Sequence, residues 1–316
     1  MKKQISQIID VHHHILPPEY ISALADLGVR NSGGITFPDW TIEKSIRHMD
    51  KNGISSAITS ISSPGVYFGD KSLAIKLAKN CNEFSASMIE KHPDRFGGFA
   101  TLPLPDVEAA LSELEFSLDV LKLDGVVLLT NIDGWYLGSP IFDEVFSELN
   151  RRNAVVFIHP TVSQENGLPN LKVPAAILEF VFDTTRAISN LILNNIFERF
   201  PNIRFIVSHA GGTAPYLAAR ISMLDYFSRD EHELDTFDCL NSLYYDVALS
   251  AYPYALRSLL EAADPSRILF GSDYPFAPPV MTSKNVEGLL VYDGFDESNI
   301  KAIERNNALS LFPRFG

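Results

Sequence analysis

Residues 8–18 read IIDVHHHILPP, and three of the chain's eight histidines stand side by side in this stretch. Imidazoles transfer protons near neutral pH and bind transition metals through an unprotonated ring nitrogen. A purification tag would sit in flexible polar surroundings, whereas this triplet follows an apolar run that reads as a buried strand. On a strand, alternate side chains share a face, so His12 and His14 point one way and His13 the other. Two imidazoles converging from one strand end make half a metal site. Taken singly, each ring could equally be a hydrogen-bonded core or cap residue.

Other residues of the same chemical kind stand at similar places. His159 closes AVVFIH, His209 closes RFIVSH and Asp273 closes RILFGSD. The elements that would position them recur along the chain. Short β-branched apolar runs fall at 7–11, 55–61, 95–102, 123–130, 154–159, 204–209, 243–250 and 267–273. Between most of them lie amphipathic stretches such as SLAIKLAKNCNEFSASMIEK and EAALSELEFSLDVL, with apolar residues recurring at three and four. Apolar strands alternating with helices predict a parallel sheet covered by helices. Eight such units in 316 residues predict a (β/α)8 barrel, an α/β fold forming one domain over 1–316.

In such a barrel the C-terminal strand ends meet on one face, where active sites lie. His12 and His14 would close strand one, His159 strand five, His209 strand six and Asp273 strand eight. Three imidazoles and a carboxylate suit zinc, with manganese or iron as alternatives. The expected ligands are therefore His12, His14, His159 and Asp273. Four protein ligands plus water exceed the common catalytic pattern, so Asp273 either binds loosely or carries a proton beside the metal. His209 is expected as a catalytic acid/base, or as a donor to bound water or substrate. Strand four ends VVLLTN, with no lysine or glutamate to bridge a second cation, so one divalent metal is expected. His48, His92 and His232 lie in helical or loop contexts and read as solvent-facing.

Residues 17–40 form a long insertion after strand one, and the proline-rich 274–284 comes after strand eight. Both leave the face where the site is expected, and both are expected as lid or pocket wall. HAGGT at 209–213 reads as a strand-to-helix turn. There Gly211 and Gly212 either bring the backbone close to the site or simply make the turn tight. Trp40 and Tyr67 are candidate apolar walls, with core packing or a helix cap as the stronger reading. GDKS at 69–72 lacks phosphate-loop spacing, no GxGxxG follows a strand, and no GxSxG occurs. No organic cofactor is expected.

Composition sets outer bounds. At 46% hydrophobic and 21% charged, the chain can bury a large core. A net charge of -13 argues against nucleic acid and anionic membranes, and an anionic substrate would need a local positive centre. No apolar run reaches membrane-spanning length, and MKKQISQ is too short and polar to open a secretory signal. Cys81 and Cys239 make neither a disulfide framework nor a CxxC site. A cytoplasmic protein is expected.

IDVHHHILP, VVFIHPT, FIVSHAGGTAPYLAAR and ILFGSDYPF resemble the amidohydrolase superfamily. More narrowly, they resemble its branch around aminocarboxymuconate semialdehyde decarboxylase and the non-oxidative phenolic-acid decarboxylases. DGVVLLTNIDGWYLGSPIFDEVFSELNRR further resembles the 6-methylsalicylate decarboxylase group. The resemblance implies a metal-binding HxH pair on His12 and His14, a third metal histidine on His159 and a non-ligand catalytic histidine on His209. It puts the metal-proximal aspartate on Asp273 and a substrate-packing phenylalanine on Phe276. It also implies that Arg220 reaches a substrate carboxylate across a homodimer interface; the sequence alone reads Arg220 as a solvated helix residue.

Two departures bear on the substrate. Resorcylate-type members begin with glutamate where this chain has His12, and carry another glutamate where it has Gly212. The muconate-semialdehyde enzymes place an arginine where Gly33 stands, and the nearest arginine here is Arg30. A second substrate carboxylate thus lacks an anchor, which favours a small aromatic monoacid. The resemblance implies a carboxy-lyase that removes carbon dioxide non-oxidatively from a small hydroxylated aromatic or unsaturated carboxylic acid. The ligand set alone leaves open a mononuclear hydrolase of a lactone or amide, or a hydratase. It also leaves open an inactive metal-binding protein whose site residues 17–40 would occlude.

Overall fold

The computed structural model describes residues 7–162, 172–227 and 234–316, so His232 lies outside the described residues. Eight parallel strands form one sheet in chain order. They are β1 (Ile8–His14), β2 (Ile54–Ser60), β3 (Phe96–Thr101), β4 (Gly125–Leu129), β5 (Val155–His159), β6 (Arg204–Val207), β7 (Tyr244–Asp246) and β8 (Ile268–Leu269). The expected barrel is present.

Its last strands are shorter than the apolar runs predicted, because the residues after them leave regular strand geometry while keeping their hydrogen bonds. β8 stops at Leu269, yet the next residues stay bonded to β1. Val11 N donates to Phe270 O at 3.0 Å, Asp273 N to His12 O at 2.8 Å and His14 N to Tyr274 O at 2.7 Å. Segment 270–274 thus closes the barrel as irregular backbone, and Asp273 takes a left-handed φ of 57°. His209 likewise lies past β6, in a turn with φ 54°. Left-handed backbone in non-glycine residues is costly and gathers at functional sites.

Two apolar layers hold the frame. Ile9, Val11, Val155, Phe157, Ile206 and Leu269 point inward, where Leu311, Phe312 and Phe315 of the C-terminal segment join them. On β1 a register shift between Asp10 and His13 breaks period two, so His12 and His14 face the same inner side as Val11. The alternate positions, including Ile8, Val156, Ile158 and Val207, pack outward against the helices. On β5 the rule gives Val155, Phe157 and His159 one face, so the metal-site candidate stands on two apolar layers.

The insertion after β1 holds helix α1 (Pro18–Asp26) and a small antiparallel hairpin pairing Asn31–Ser32 with Ile35–Thr36. Helix α2 (Ile42–Asn52) comes next, its N-cap Thr41 accepting from Lys44 N. The expected loop 274–284 is shorter than predicted, because a helix begins at Pro279 and runs to Val291. Proline at a first helical position explains the misreading, since its missing N–H costs nothing there. Among the described residues no helix is long and apolar enough to cross a membrane.

Candidate metal centre

The barrel brings four donor atoms of His12, His14, His159 and Asp273 within 4.8 Å of one another. His12 Nε2 lies 3.1 Å from His14 Nε2, and Asp273 Oδ1 lies 3.4 and 3.3 Å from those two nitrogens. Ligands about 2.1 Å from one cation, at angles between square and tetrahedral, stand about 3.0–3.4 Å apart. The spacing of His12, His14 and Asp273 therefore fits a single first-row divalent ion, with His159 within 4.8 Å of all three.

Each imidazole is also turned the right way. His12 Nδ1 is 2.9 Å from Asp246 Oδ2, and His159 Nδ1 is 2.8 Å from the carbonyl of Pro160. His14 Nδ1 lies 3.3 Å from Ser60 O and 3.2 Å from Ser60 Oγ. Each Nδ1–H thus has an acceptor behind it, which turns every Nε2 towards the centre. Phe157 lies under His12, with ring centroids 5.0 Å apart. The donor set is preorganised.

Protonation agrees with this arrangement. Burial alone would lower His12, but the Asp246 and Asp273 carboxylates outweigh it and push its pKa up to about 10. Burial pushes His14 down and His159 well down. Burial would raise Asp273; hydrogen bonds from His12, His14 and His209 instead hold it well below the usual carboxylate range. Without a cation the cluster therefore keeps a proton on His12 at neutral pH. Metal binding at pH 7 is expected to expel about one proton, because a ligand nitrogen must be unprotonated. The release should fade as pH rises through about 10. Calorimetry of zinc binding in buffers of different ionisation enthalpy measures it, and heats independent of buffer at pH 7 would contradict the arrangement. The same proton favours the metal-free fold below 6.5, the ordinary histidine value, and that gain is lost as pH climbs to about 10.

His209 stands beside the cluster. Its Nε2 is 3.6 Å from Asp273 Oδ2, and its buried Nδ1 has no partner among the described residues. Asp246, which sequence reasoning passed over, holds two site residues at once. Its Oδ2 takes the His12 ring, and its Oδ1 accepts from His209 N at 3.1 Å and Ala248 N at 2.9 Å. The only available signal was a lone carboxylate in the apolar run LYYDVALS. Gly271 passes between these residues, where an added Cβ would lie 2.9 Å from His12 Cβ and 3.0 Å from Asp246 Oδ1.

A cavity of about 430 Å³ opens above the cluster. His159, His209 and Asp273 line its floor beside Ser62 and Ser250, Ser32 and Ile35 of the insertion form one wall, and Phe180, Val181 and Met281 others. Phe276 also lines it, 5.5 Å from the His14 ring, edge to face. No lysine or arginine is among the described lining residues.

Other expectations meet different outcomes. Arg220 is exposed and does not line the cavity within one chain. Trp40 is a core residue whose Nε1 donates to Ser45 Oγ, and Tyr67 lines a separate cavity of about 280 Å³. His48 is not solvent-facing. It is buried, stacks on Tyr274 at 4.0 Å and pairs with Thr282, and burial pushes its pKa down to about 4. His92 is half-buried, with its ring 6.1 Å from that of Phe96. Gly212, at φ 65°, makes a close approach to backbone, since an added Cβ would meet Val181 O at 2.2 Å. A side chain at Gly33 would strike Phe180 at 2.7 Å. A side chain at Gly212 would therefore need backbone to move, whereas one at Gly33 would need the Phe180 ring to shift.

Comparison with known proteins completes the picture. The family model described as Amidohydrolase matches residues 9–314. The 6-methylsalicylic acid decarboxylase of Penicillium expansum is 36% identical over 315 residues, covering 97% of this chain and 96% of its own. A crystal structure described as an amidohydrolase II superimposes with a TM-score of 0.91 at 33% identity, covering 97% of this chain and 100% of that one. A dihydroxybenzoic acid decarboxylase from Polaromonas sp. JS666, solved with manganese and 2-nitroresorcinol, shares the fold. Its TM-score is 0.82 at 22% identity, covering 98% of this chain and 97% of that one. With its donor set at the strand ends of a parallel barrel, the chain belongs to the amidohydrolase family, within its branch of metal-dependent decarboxylases.

Proposed function

We propose that this decarboxylase acts on a small aromatic monoacid with a hydroxyl beside the carboxylate, of the 6-methylsalicylate kind. The observation that carries this reading is a cavity with a metal-ligand floor and, within one chain, no lysine or arginine among its described lining residues. Such a pocket gives one carboxylate an anchor and offers a second none, while its apolar walls accept a ring and an alkyl group.

His12, His14, His159 and Asp273 would hold the cation, which when bound supplies a Lewis acid for a carboxylate and a neighbouring oxygen. Zinc suits three neutral imidazoles and a carboxylate, with manganese, the metal in the Polaromonas enzyme, as the alternative. Phe276 and the residue 17–40 lid confine the ring and exclude water. His209 supplies a proton through Asp273 Oδ2 to the carbon bearing the carboxylate. The carbon–carbon bond then breaks, its electron pair returns to the ring, and carbon dioxide leaves. Positioning and a directed acid share the lowering of the barrier.

Arg220 serves a second copy of the chain in this reading. It stands on the helix Ala214–Ile221 one turn after Tyr216, and Tyr216 and, on the next helix, Tyr226 are 82% and 86% exposed. A homodimer would cover these rings and bring the guanidinium to the partner's substrate carboxylate. Arg220→Ala is expected to raise KM about tenfold or more, the cost of one charged hydrogen bond, with metal content unchanged. Steady-state kinetics beside metal analysis check this, and loss of metal would show the residue misplaced. The two free buried cysteines are consistent with a reducing, cytoplasmic setting.

The deciding experiment incubates metal-loaded protein with salicylate-, 6-methylsalicylate- and resorcylate-type acids and tracks carbon dioxide without a redox cofactor. Release from an ortho-hydroxy monoacid supports the proposal. Silence across the panel with cleavage of a lactone would replace it with a hydrolase.

A further inference from the structure

Behind the metal-binding face of β1 lies a second set of polar side chains that the proposed reaction does not use. Asp10, His13, Ser45 and Ser272 are all fully buried. Asp10 Oδ1 accepts from His12 N at 3.1 Å and Ser272 N at 3.0 Å. Its Oδ2 accepts from Ser272 Oγ at 2.6 Å and faces His13 Nδ1 at 3.0 Å. His13 Nε2 lies 2.9 Å from Ser45 Oγ, which also accepts from Trp40 Nε1 at 2.9 Å.

The donor inventory fixes a direction along this chain. The Asp10 carboxylate only accepts, so His13 presents an Nδ1 proton to it. With the ring neutral, Nε2 accepts from Ser45 Oγ, which itself accepts from the Trp40 indole. The order Ser45, His13, Asp10 has the spacing of a nucleophile triad, but Ser45 is sealed inside α2 with no route to a substrate. Its output goes elsewhere. Asp10 grips both the backbone of His12 and the peptide of Ser272, the residue before Asp273. Asp273 holds its left-handed φ of 57° directly beside this grip. One carboxylate therefore ties the first metal histidine to the metal-proximal aspartate, which lies 261 positions further along the chain than His12.

We propose that Asp10 and His13 are positioning residues of the metal centre: they hold Asp273 in its left-handed conformation against His12 and His14 through Ser272. His13 sets the Asp10 carboxylate, Asp10 sets Ser272, and Ser272 presents Asp273. This rests on the metal-site geometry and not on the identity of the substrate.

The test loads the full chain with cobalt(II), whose visible absorption reports ligand geometry without any substrate. Ser272→Ala is the main variant, because it lies past β8 in segment 270–274 and removes a single hydroxyl. It is expected to shift the cobalt bands, weaken cobalt binding about 10–100-fold and lower kcat over a similar range while KM stays near the parent value. Asp10→Asn should do the same, and the double variant should be no worse than Asp10→Asn alone, because both cut one connection. His13→Asn, which keeps a donor to Asp10, should restore the parent cobalt spectrum better than His13→Phe. Parent-like cobalt spectra and affinity in Ser272→Ala and Asp10→Asn, with only thermal stability reduced and the losses additive, would overturn the proposal. Failure of the decarboxylation panel alone would leave these readings intact, so the two outcomes are separable.

Discussion

His159→Ala should cost the protein its bound cation and its turnover together, while the barrel remains folded. His159 is the third imidazole of the cluster, buried at the end of β5 with Nδ1 fixed on the carbonyl of Pro160. Removing it leaves His12, His14 and Asp273, all on one side of the site. The fold should tolerate the loss because burial already disfavours charge on this ring, pushing its pKa well down, and Val155 and Phe157 beneath it stay in place. A Lewis acid contributes several kcal/mol to a developing charge, and each 1.36 kcal/mol is tenfold in rate. Turnover should therefore fall by about 10³-fold or more. Metal analysis, circular dichroism and kinetics on one preparation read all three effects. An unfolded variant would show that His159 is a core residue first. Full activity in a metal-stripped parent would remove the cation from the chemistry.

Asp273→Asn comes next in size. The carboxylate faces His12 and His14 through Oδ1 and His209 through Oδ2. Asparagine keeps the volume and one acceptor but can neither carry the negative charge nor pass a proton. At saturating metal, kcat should drop about 10²–10⁴-fold, the usual worth of a placed acid or base. Much of the loss should remain when metal is added in excess, which separates proton transfer from weakened ligation. A kcat within a few-fold of the parent at saturating metal would leave Asp273 as an ordinary ligand and shift the proton to His209 alone.

The five side chains of the cluster were legible because each stands at or just after an apolar run, and a barrel brings all such ends to one face. Period two also separated His13 from His12 and His14 correctly. What stayed hidden depends on partners far away in sequence. Asp246 looks like any carboxylate ending a strand until the ring of His12, 234 positions earlier, is seen against it. Asp10 reads as one polar residue in an apolar run, and its bonds to Ser272 span 262 positions. The burial of His48 is not legible from helical spacing, which reveals which face is apolar and not that a neutral imidazole can stack on Tyr274. Arg220 is exposed and lies outside the described lining of the cavity, so neither its sequence context nor the fold of one chain gives it a contact with the site.

The central claim is that one cation sits among His12, His14, His159 and Asp273 below the cavity. Anomalous diffraction at the manganese edge, from crystals grown with manganese and soaked in 6-methylsalicylate, tests it most directly. One peak per chain is predicted, within bonding distance of the three Nε2 atoms and Asp273 Oδ1, with the acid's carboxylate against it. A peak elsewhere, two peaks in the site, or an acid seated away from the ion would contradict the account.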